Sequence, residues 1–359
     1  MKTKEKSFSS ILVPLLSIFL ALLVGVIIML ALGADPVLAL QMLFKGSFGS
    51  AGSIGTTLTK ATPLIFCALC ACFAYKCGVF NLGGEGQFII GSVACYYVAY
   101  CFPFHGFPGI LLSLLAGTLA GGIWGLIPGV LKVTRDQNEM IISIMLNYVA
   151  TLFMGVVYTN WLRDESVPQT LPVPEDVRLP RVFSGMRFTW ALVIAVVLAI
   201  LIYYFLFWTS EGFRLRAVGS NMTASRFNGF RVKRYILTSF IISGAIAGLG
   251  GGAEILGTQF RLINGYGAGY GFDGVAMALI AQLHPLTTVL VSVFFAALRA
   301  GSTAMQAATG VPTSVSDIIQ ALVIVFSVAG MAMVRLPEFE AFRLRLADRK
   351  QRKEAKTEK

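Results

Sequence analysis

A chain of 359 residues that is 56% hydrophobic and only 13% charged, with a mean hydropathy of +0.75, is not built as a soluble domain. Soluble proteins carry about 25% charged residues, so the composition points to an integral membrane protein. The net charge of +11 does not mark a nucleic-acid binder, because the basic residues lie between and after apolar runs and no nucleic-acid module is present.

The chain opens on "MKTKEKSFSSILVPLL", a basic stretch followed by an apolar run from Ile11 to Leu32. That run is too long for a signal-peptide core and reads as a retained first span. A span takes about 20 mostly apolar residues. Candidate spans fall at 11–33, 58–75, 86–102, 109–131, 140–161, 189–209, 236–257, 272–283, 286–301 and 318–334, with the second, eighth and ninth short. Short or glycine-broken spans are typical of helices that stop inside the membrane and line a cavity. With the N-terminus in the cytoplasm, most of the 29 basic residues fall on the inner side, leaving Lys45, Lys60, Arg163, Arg178, Arg181, Arg187, Arg261 and Arg299 in outer segments or near outer ends. The expected fold is therefore an all-α membrane protein of about ten spans. It forms one transmembrane domain over 1–359, in the cell membrane, with both termini cytoplasmic and a basic inner tail over 335–359. Connections 34–57 and 162–188 lie outside, the second stiffened by Pro168, Pro172, Pro174 and Pro180.

Cys67, Cys70, Cys72, Cys77, Cys95 and Cys101 lie in or beside apolar runs and read as small buried residues. "FNLGGEGQF", residues 80–88, places Asn81, Glu85 and Gln87 on a glycine-rich backbone among apolar sequence. Two readings stand: unwound backbone whose polar groups face a solute, or a cytoplasmic turn in which Glu85 caps the next helix. Gly117, Gly121, Gly125 and Gly129 form a packing face on the fourth span. Glu139, Ser143, Asn147 and Thr151 recur every four residues on the fifth, a polar stripe that faces either a pathway or a neighbouring helix.

The inner loop "EGFRLRAVGSNMTASRFNGFRVKRY" is too charged to cross; it predicts a short helix flanked by Gly219 and Gly229, for a cytoplasmic partner or for lipid headgroups. "GLGGGA", residues 248–253, has no preceding strand and is a packing face rather than a dinucleotide loop. "GVFNLGGEGQFIIGS" and "GYGFDGVAMALIAQ" share a glycine-rich entry, a Phe and a polar residue opening an apolar run, the relation of an inverted repeat under this topology. His105 and His284 have no ligand or nucleophile pattern around them, no metal site is expected, and no G-x-x-x-x-G-K-[ST] loop occurs. No catalytic constellation is present, so the chain is not expected to be an enzyme.

"FNLGGEGQF", "NEMIISIMLNYVA", "GFRLRAVGSNMTASRFNGF" and "GYGFDGVAMALIAQLHPL" run in order and resemble the motifs of permease subunits in bacterial nucleoside-type ABC importers. These belong to the branched-chain amino acid and simple-sugar permease superfamily. "GADPVLALQMLFKGSFGSAGSIGTTLTKATPLI" is similar to that family's first outer loop. Leu82 and Gly84 depart from the commoner Ile and Ala, and Asp273 adds a carboxylate where a neutral residue is common. The resemblance implies a type II ABC importer permease-like fold and a core of two permease chains, usually different. It also implies a cytoplasmic ATPase that holds ATP and Mg, and an outer solute-binding lipoprotein. It implies a solute path lined by Asn81, Glu85, Gln87, Asn147, Asp273 and Gln282, with Phe80, Phe88 and Phe272 for the flat face of a base. It places the ATPase contact on Arg214, Arg216, Ala217, Gly219, Asn221, Ala224, Arg226 and Gly229. The solute is expected to be a nucleoside; a simple sugar, or a stand-alone ion-coupled transporter using Glu85, Asp273 and Glu254, are the other readings.

Overall fold

The computed structural model describes residues 2–164, 167–183 and 185–334, and the basic tail expected over 335–359 lies outside them. The described residues hold thirteen α-helices: α1 (Lys2–Ala31), α2 (Pro36–Phe48), α3 (Ala51–Lys76), α4 (Gly84–Cys101), α5 (Gly106–Arg135), α6 (Glu139–Val156), α7 (Trp190–Trp208), α8 (Ser210–Ser220), α9 (Met222–Phe227), α10 (Val232–Glu254), α11 (Tyr270–Ile280), α12 (Pro285–Thr309) and α13 (Ser314–Val334). Wider π turns, Val157–Trp161 and Ile255–Gln259, extend α6 and α10. Strand pairing is limited, among the described residues, to two isolated bridges, Arg163 with Thr170 and Arg181 with Thr189.

Every predicted apolar run falls on a helix. Among the described residues six helices are long and apolar enough to cross a membrane, and Leu16–Ala31, Tyr270–Ile280 and Ser314–Gly330 are shorter apolar helices. The chain is an all-α, multi-pass membrane protein. Three expectations are corrected. The second and ninth runs are not short: α3 has 26 residues and α12 has 25. The polar residues that hid the start of α3 are helical because Thr56 and Thr59 hydroxyls donate to the carbonyls of Gly52 and Gly55, four residues back. The segment 34–57 is not a loop, since it holds α2 and the first turns of α3. The inner segment carries two helices, α8 and α9, and Gly219 lies inside the first rather than beyond its end.

The chain forms two compact units, Met1–Leu40 with Met305–Lys359, and Gln41–Ala304. In the first, α1 packs on α13, and a Cβ at Gly25 would run into the side chain of Ile319. In the second, α3 is the central helix, with every residue from Ala61 to Ala74 buried. Beside it α4, α5 and α10 meet almost backbone to backbone. A Cβ on Gly248 would sit 2.8 Å from Gly121 Cα, and one on Gly117 would sit 2.8 Å from the Gly91 carbonyl. Only glycine allows helices so close. The proline-bearing loop over 162–188 is sewn to the segment after α10 by backbone bonds from Thr170, Val173 and Leu179 N–H to the carbonyls of Leu262, Phe260 and Leu256.

Candidate solute path at a junction of two interrupted helices

The glycine-rich stretch after α3 is neither plain helix nor free loop. Gly78, at φ +75°, turns the chain, and α4 does not begin until Gly84. A Cβ at Gly84 would lie 3.5 Å from Cys70 Sγ, so α4 starts in the buried interior of α3 rather than at its end. Side chains hold the break open. Asn81 Oδ1 accepts from Gly83 N–H at 2.9 Å, and its Nδ2 donates to Ser243 Oγ at 2.8 Å. Asn81 and Gln87 pair amide to amide, at 3.0 and 3.1 Å. Asn147, on α6, spans the break: Gly86 N–H donates to its Oδ1 at 2.8 Å, and its Nδ2 donates to the Leu82 carbonyl at 2.9 Å. Gly86 is required there, because a Cβ would fall 2.9 Å from that same Oδ1.

A second interruption meets the first. After α10 the chain leaves helix at Phe260, in the left-handed region at φ +59°, and α11 begins at Tyr270. Glu85 Oε2 accepts from Gly269 N–H at 2.9 Å, and a Cβ on Gly271 would fall 2.6 Å from Glu85 Cβ. The helices run oppositely from this point. Contacts of Gly91 with Gly248 and of Cys95 with Gly252 show that α4 runs with α10. Those of Gly274 with Cys67 and of Ala278 with Ala71 and Cys72 show that α11 runs with α3. Since α3 and α10 cross in opposite senses, two half-helices begin side by side and point their N-termini at one region, the arrangement an inverted repeat produces. Each N-terminus carries about half a positive charge. Carboxylates answer them: Glu85 in the first turn of α4 and Asp273 in the first turn of α11. Arg299 of α12 pairs with Asp273 at 2.5 Å, and Lys60 of α3 donates to the Arg299 carbonyl at 3.0 Å.

The predicted lining residues therefore separate. Asn81, Gln87 and Asn147 are buried and face one another and backbone. Glu85 and Asp273 are half-buried at the junction. Phe88 is buried, 5.8 Å from the ring of Tyr266 and 5.7 Å from that of Tyr270. Phe80 and Phe272 are exposed, at 44% and 47%. Gln282 closes the far end of α11, about 13 Å along the axis from Asp273, and is not brought to the junction. The sequence reading left out Ser243, Tyr266 and Tyr270, and placed Arg299 only at an outer end. A lone arginine inside an apolar run was a legible signal for it.

The segment of α8 and α9 touches this junction. Gly219 of α8 sits against the carbonyl of Lys76 and the backbone of Cys77 and Gly78, with no room for a Cβ. The Arg216 guanidinium lies 4.8 Å from the Phe207 ring centre. Glu211 accepts from Arg214 and from the Tyr235 hydroxyl, both at 2.8 Å. A groove of ≈ 530 Å³ opens between α8 and α9, lined by Arg216, Ala217, Asn221 and Ala224 among others. Arg214 and Arg226 are exposed, and Gly229 makes a left-handed turn at φ +79°.

A profile of the family described as "Branched-chain amino acid transport system / permease component" matches residues 53–328, most of the chain. The chain belongs to this permease family. It is a transport component and not an enzyme. Among its relatives, the guanosine ABC transporter permease protein NupP of Bacillus subtilis (strain 168) is 35% identical over 91% of this chain and 96% of its own length. The nucleoside ABC transporter permease protein NupB of Lactococcus lactis subsp. cremoris is 31% identical over 96% and 98%. The glucose ABC transporter permease protein TsgB13 of Haloferax volcanii is 34% identical over 87% of this permease and 86% of its own length. No solved structure matches it.

One measurement checks the clamp in this permease. Replacing Asn147 by Ala leaves Gly86 N–H and the Leu82 carbonyl without partners, at about 1–3 kcal/mol for each group left buried and unpaired. The thermal midpoint in detergent should fall clearly below wild type, and Asn147→Asp, which keeps an acceptor for Gly86, should fall less than Ala.

Proposed function

We propose that this chain is the membrane-spanning permease subunit of an ABC importer for nucleosides, with its solute path at the junction of α4 and α11. The observation that carries the reading is the pair of half-helices meeting N-terminus to N-terminus with Glu85 and Asp273 between them. Polar groups at membrane depth on interrupted backbone mark a pathway. Resemblance to permeases named for guanosine and for nucleosides supplies the solute class. α1, α4, α11 and α13 join the six long helices to give ten crossings, with both termini inside. Arg214, Arg216, Ala217, Gly219, Asn221, Ala224, Arg226 and Gly229 form the contact for a cytoplasmic ATPase, which holds ATP and Mg. A second, similar permease chain completes the core, as NupP and the related NupQ of the same Bacillus strain suggest. A solute-binding lipoprotein delivers solute from outside.

Uptake of labelled guanosine by cells carrying the complete transporter tests the solute. Excess unlabelled guanosine should compete and excess ribose or glucose should not. Competition by either sugar with none by nucleosides would transfer the path to a sugar, the reading that the glucose relative favours. Glu85→Gln should lower uptake roughly tenfold at equal membrane abundance, the loss of one charge-assisted hydrogen bond of ~1.5 kcal/mol. Uptake equal to wild type would remove Glu85 from the path.

A further inference from the structure

One carboxylate near the junction has no part in the proposed path. Glu254, the last residue of α10, is 3% exposed. Its Oε1 accepts from Gln259 Nε2 at 3.3 Å and the Thr258 hydroxyl lies against the carboxyl, both uncharged donors, while the buried Oε2 makes no hydrogen bond within 3.5 Å. It takes part in none of the ion pairs of the described residues. The groups that face it are Cys67 from α3, Tyr266 from the second interruption and Tyr270 from α11, with Thr258 and Gln259 on its own π turn. None of these brings a positive charge. Arg299, the arginine of the junction, pairs instead with Asp273.

An ionised carboxylate sealed from water without a counter-charge is prohibitively costly, and such a group neutralises itself. The backbone marks the same place. α10 gives way to a π turn directly after Glu254, and that turn ends on left-handed Phe260. π turns inside helices recur at functional sites, and a non-glycine residue at positive φ is held there by its surroundings.

We propose that Glu254 is a proton-binding site: its carboxyl carries a proton while sealed as in this structure and releases it when the junction around Tyr266 and Tyr270 takes up water. On release the O–H bond breaks, the proton passes to the entering water, and the carboxylate is left solvated. Closing reverses the step. Alkaline conditions therefore favour the hydrated form. The protonation holds whichever solute the permease carries; only its coupling to opening rests on the junction being the path.

Infrared spectra of the full-length chain in lipid nanodiscs at neutral pH test the proton directly. Wild type should show the carbonyl stretch of a protonated carboxyl. Glu254→Gln should lose it, while Glu85→Gln and Asp273→Asn should keep it. No such band in wild type, or a band untouched by Glu254→Gln, overturns the assignment. Should Glu254→Gln fail to assemble, Glu254→Asp moves the carboxyl and must shift the band; an unshifted band is equally fatal. Coupling is read at Cys67, kept as the sole cysteine, by its rate of alkylation with an uncharged maleimide. The ratio of wild-type rate to that in Glu254→Gln should climb several-fold over about two pH units above neutrality, since opening is linked to the loss of one proton. A ratio that stays flat overturns the coupling. Neither readout uses solute, so both stand apart from a failure of the uptake experiments.

Discussion

Gly248→Val should leave little folded protein in the membrane. At this position a Cβ meets the backbone of α5, Gly121 Cα at 2.8 Å and Gly121 N at 3.1 Å, besides the carbonyl of Gly117. No side chain can swing away to make room. The only relief is to move α10 off α5, and α4 moves with it because Gly91 packs on the same glycine. Forcing extra atoms into a packed interior costs about 1–3 kcal/mol and occasionally more, and a site closed by backbone on which two helix contacts depend belongs beyond that range. Natural stabilities are only about 5–15 kcal/mol. The expected result is a collapse of the monodisperse peak in detergent and a sharp fall in thermal midpoint. Gly155→Ala is the control, because a Cβ there meets only the Tyr158 hydroxyl at 4.0 Å. If Gly248→Val matched Gly155→Ala, the close crossing of these helices would be wrong.

Arg299→Ala should be nearly as damaging, and a second substitution should repair it. The pair with Asp273 is half-buried, with side-chain exposures of 29% and 28%. Breaking a fully buried pair from one side costs about 3–5 kcal/mol because the other charge is stranded; partial exposure reduces this to roughly 2 kcal/mol. Asp273→Asn alone leaves Arg299 without its carboxylate partner and should also lower the thermal midpoint. The double change Arg299→Ala with Asp273→Asn removes both charges and should return the midpoint most of the way. A double variant as unstable as the sum of the singles would show that the two residues act apart. Uptake separates stability from transport: the double variant should fold and still carry solute poorly, since the junction would have lost one of its two carboxylates.

Much of this fold is written in hydropathy. The runs from 109 to 131 and from 189 to 209 are uninterrupted, and the structure gives α5 and α7 there with small changes at the ends. Reading failed where polar residues sit inside a helix. Thr56 and Thr57 stand just before the run read from 58 and hide its helical start, yet the Thr56 hydroxyl donates to the Gly52 carbonyl within the helix and that of Thr57 donates to the Ser47 carbonyl of α2. α2 was announced more plainly than its loop assignment allowed: Pro36 opens the helix and Asp35 Oδ1 caps Val37 N–H at 2.9 Å. At the junction, residue type marked Asn81, Glu85, Asn147 and Asp273 as exceptional. What no local pattern could give is the partner of each. Asn147 reaches back to Leu82 and Gly86, Glu85 forward to Gly269, and these pairings exist only once distant segments are folded together.

The seat of Gly219 against Lys76–Gly78 has a mechanical meaning. Helix α8 bears on the turn from which the Asn81–Glu85 stretch hangs, with no side chain between to act as a cushion. A displacement of α8 therefore has a short, backbone-to-backbone route to the root of the first half-helix.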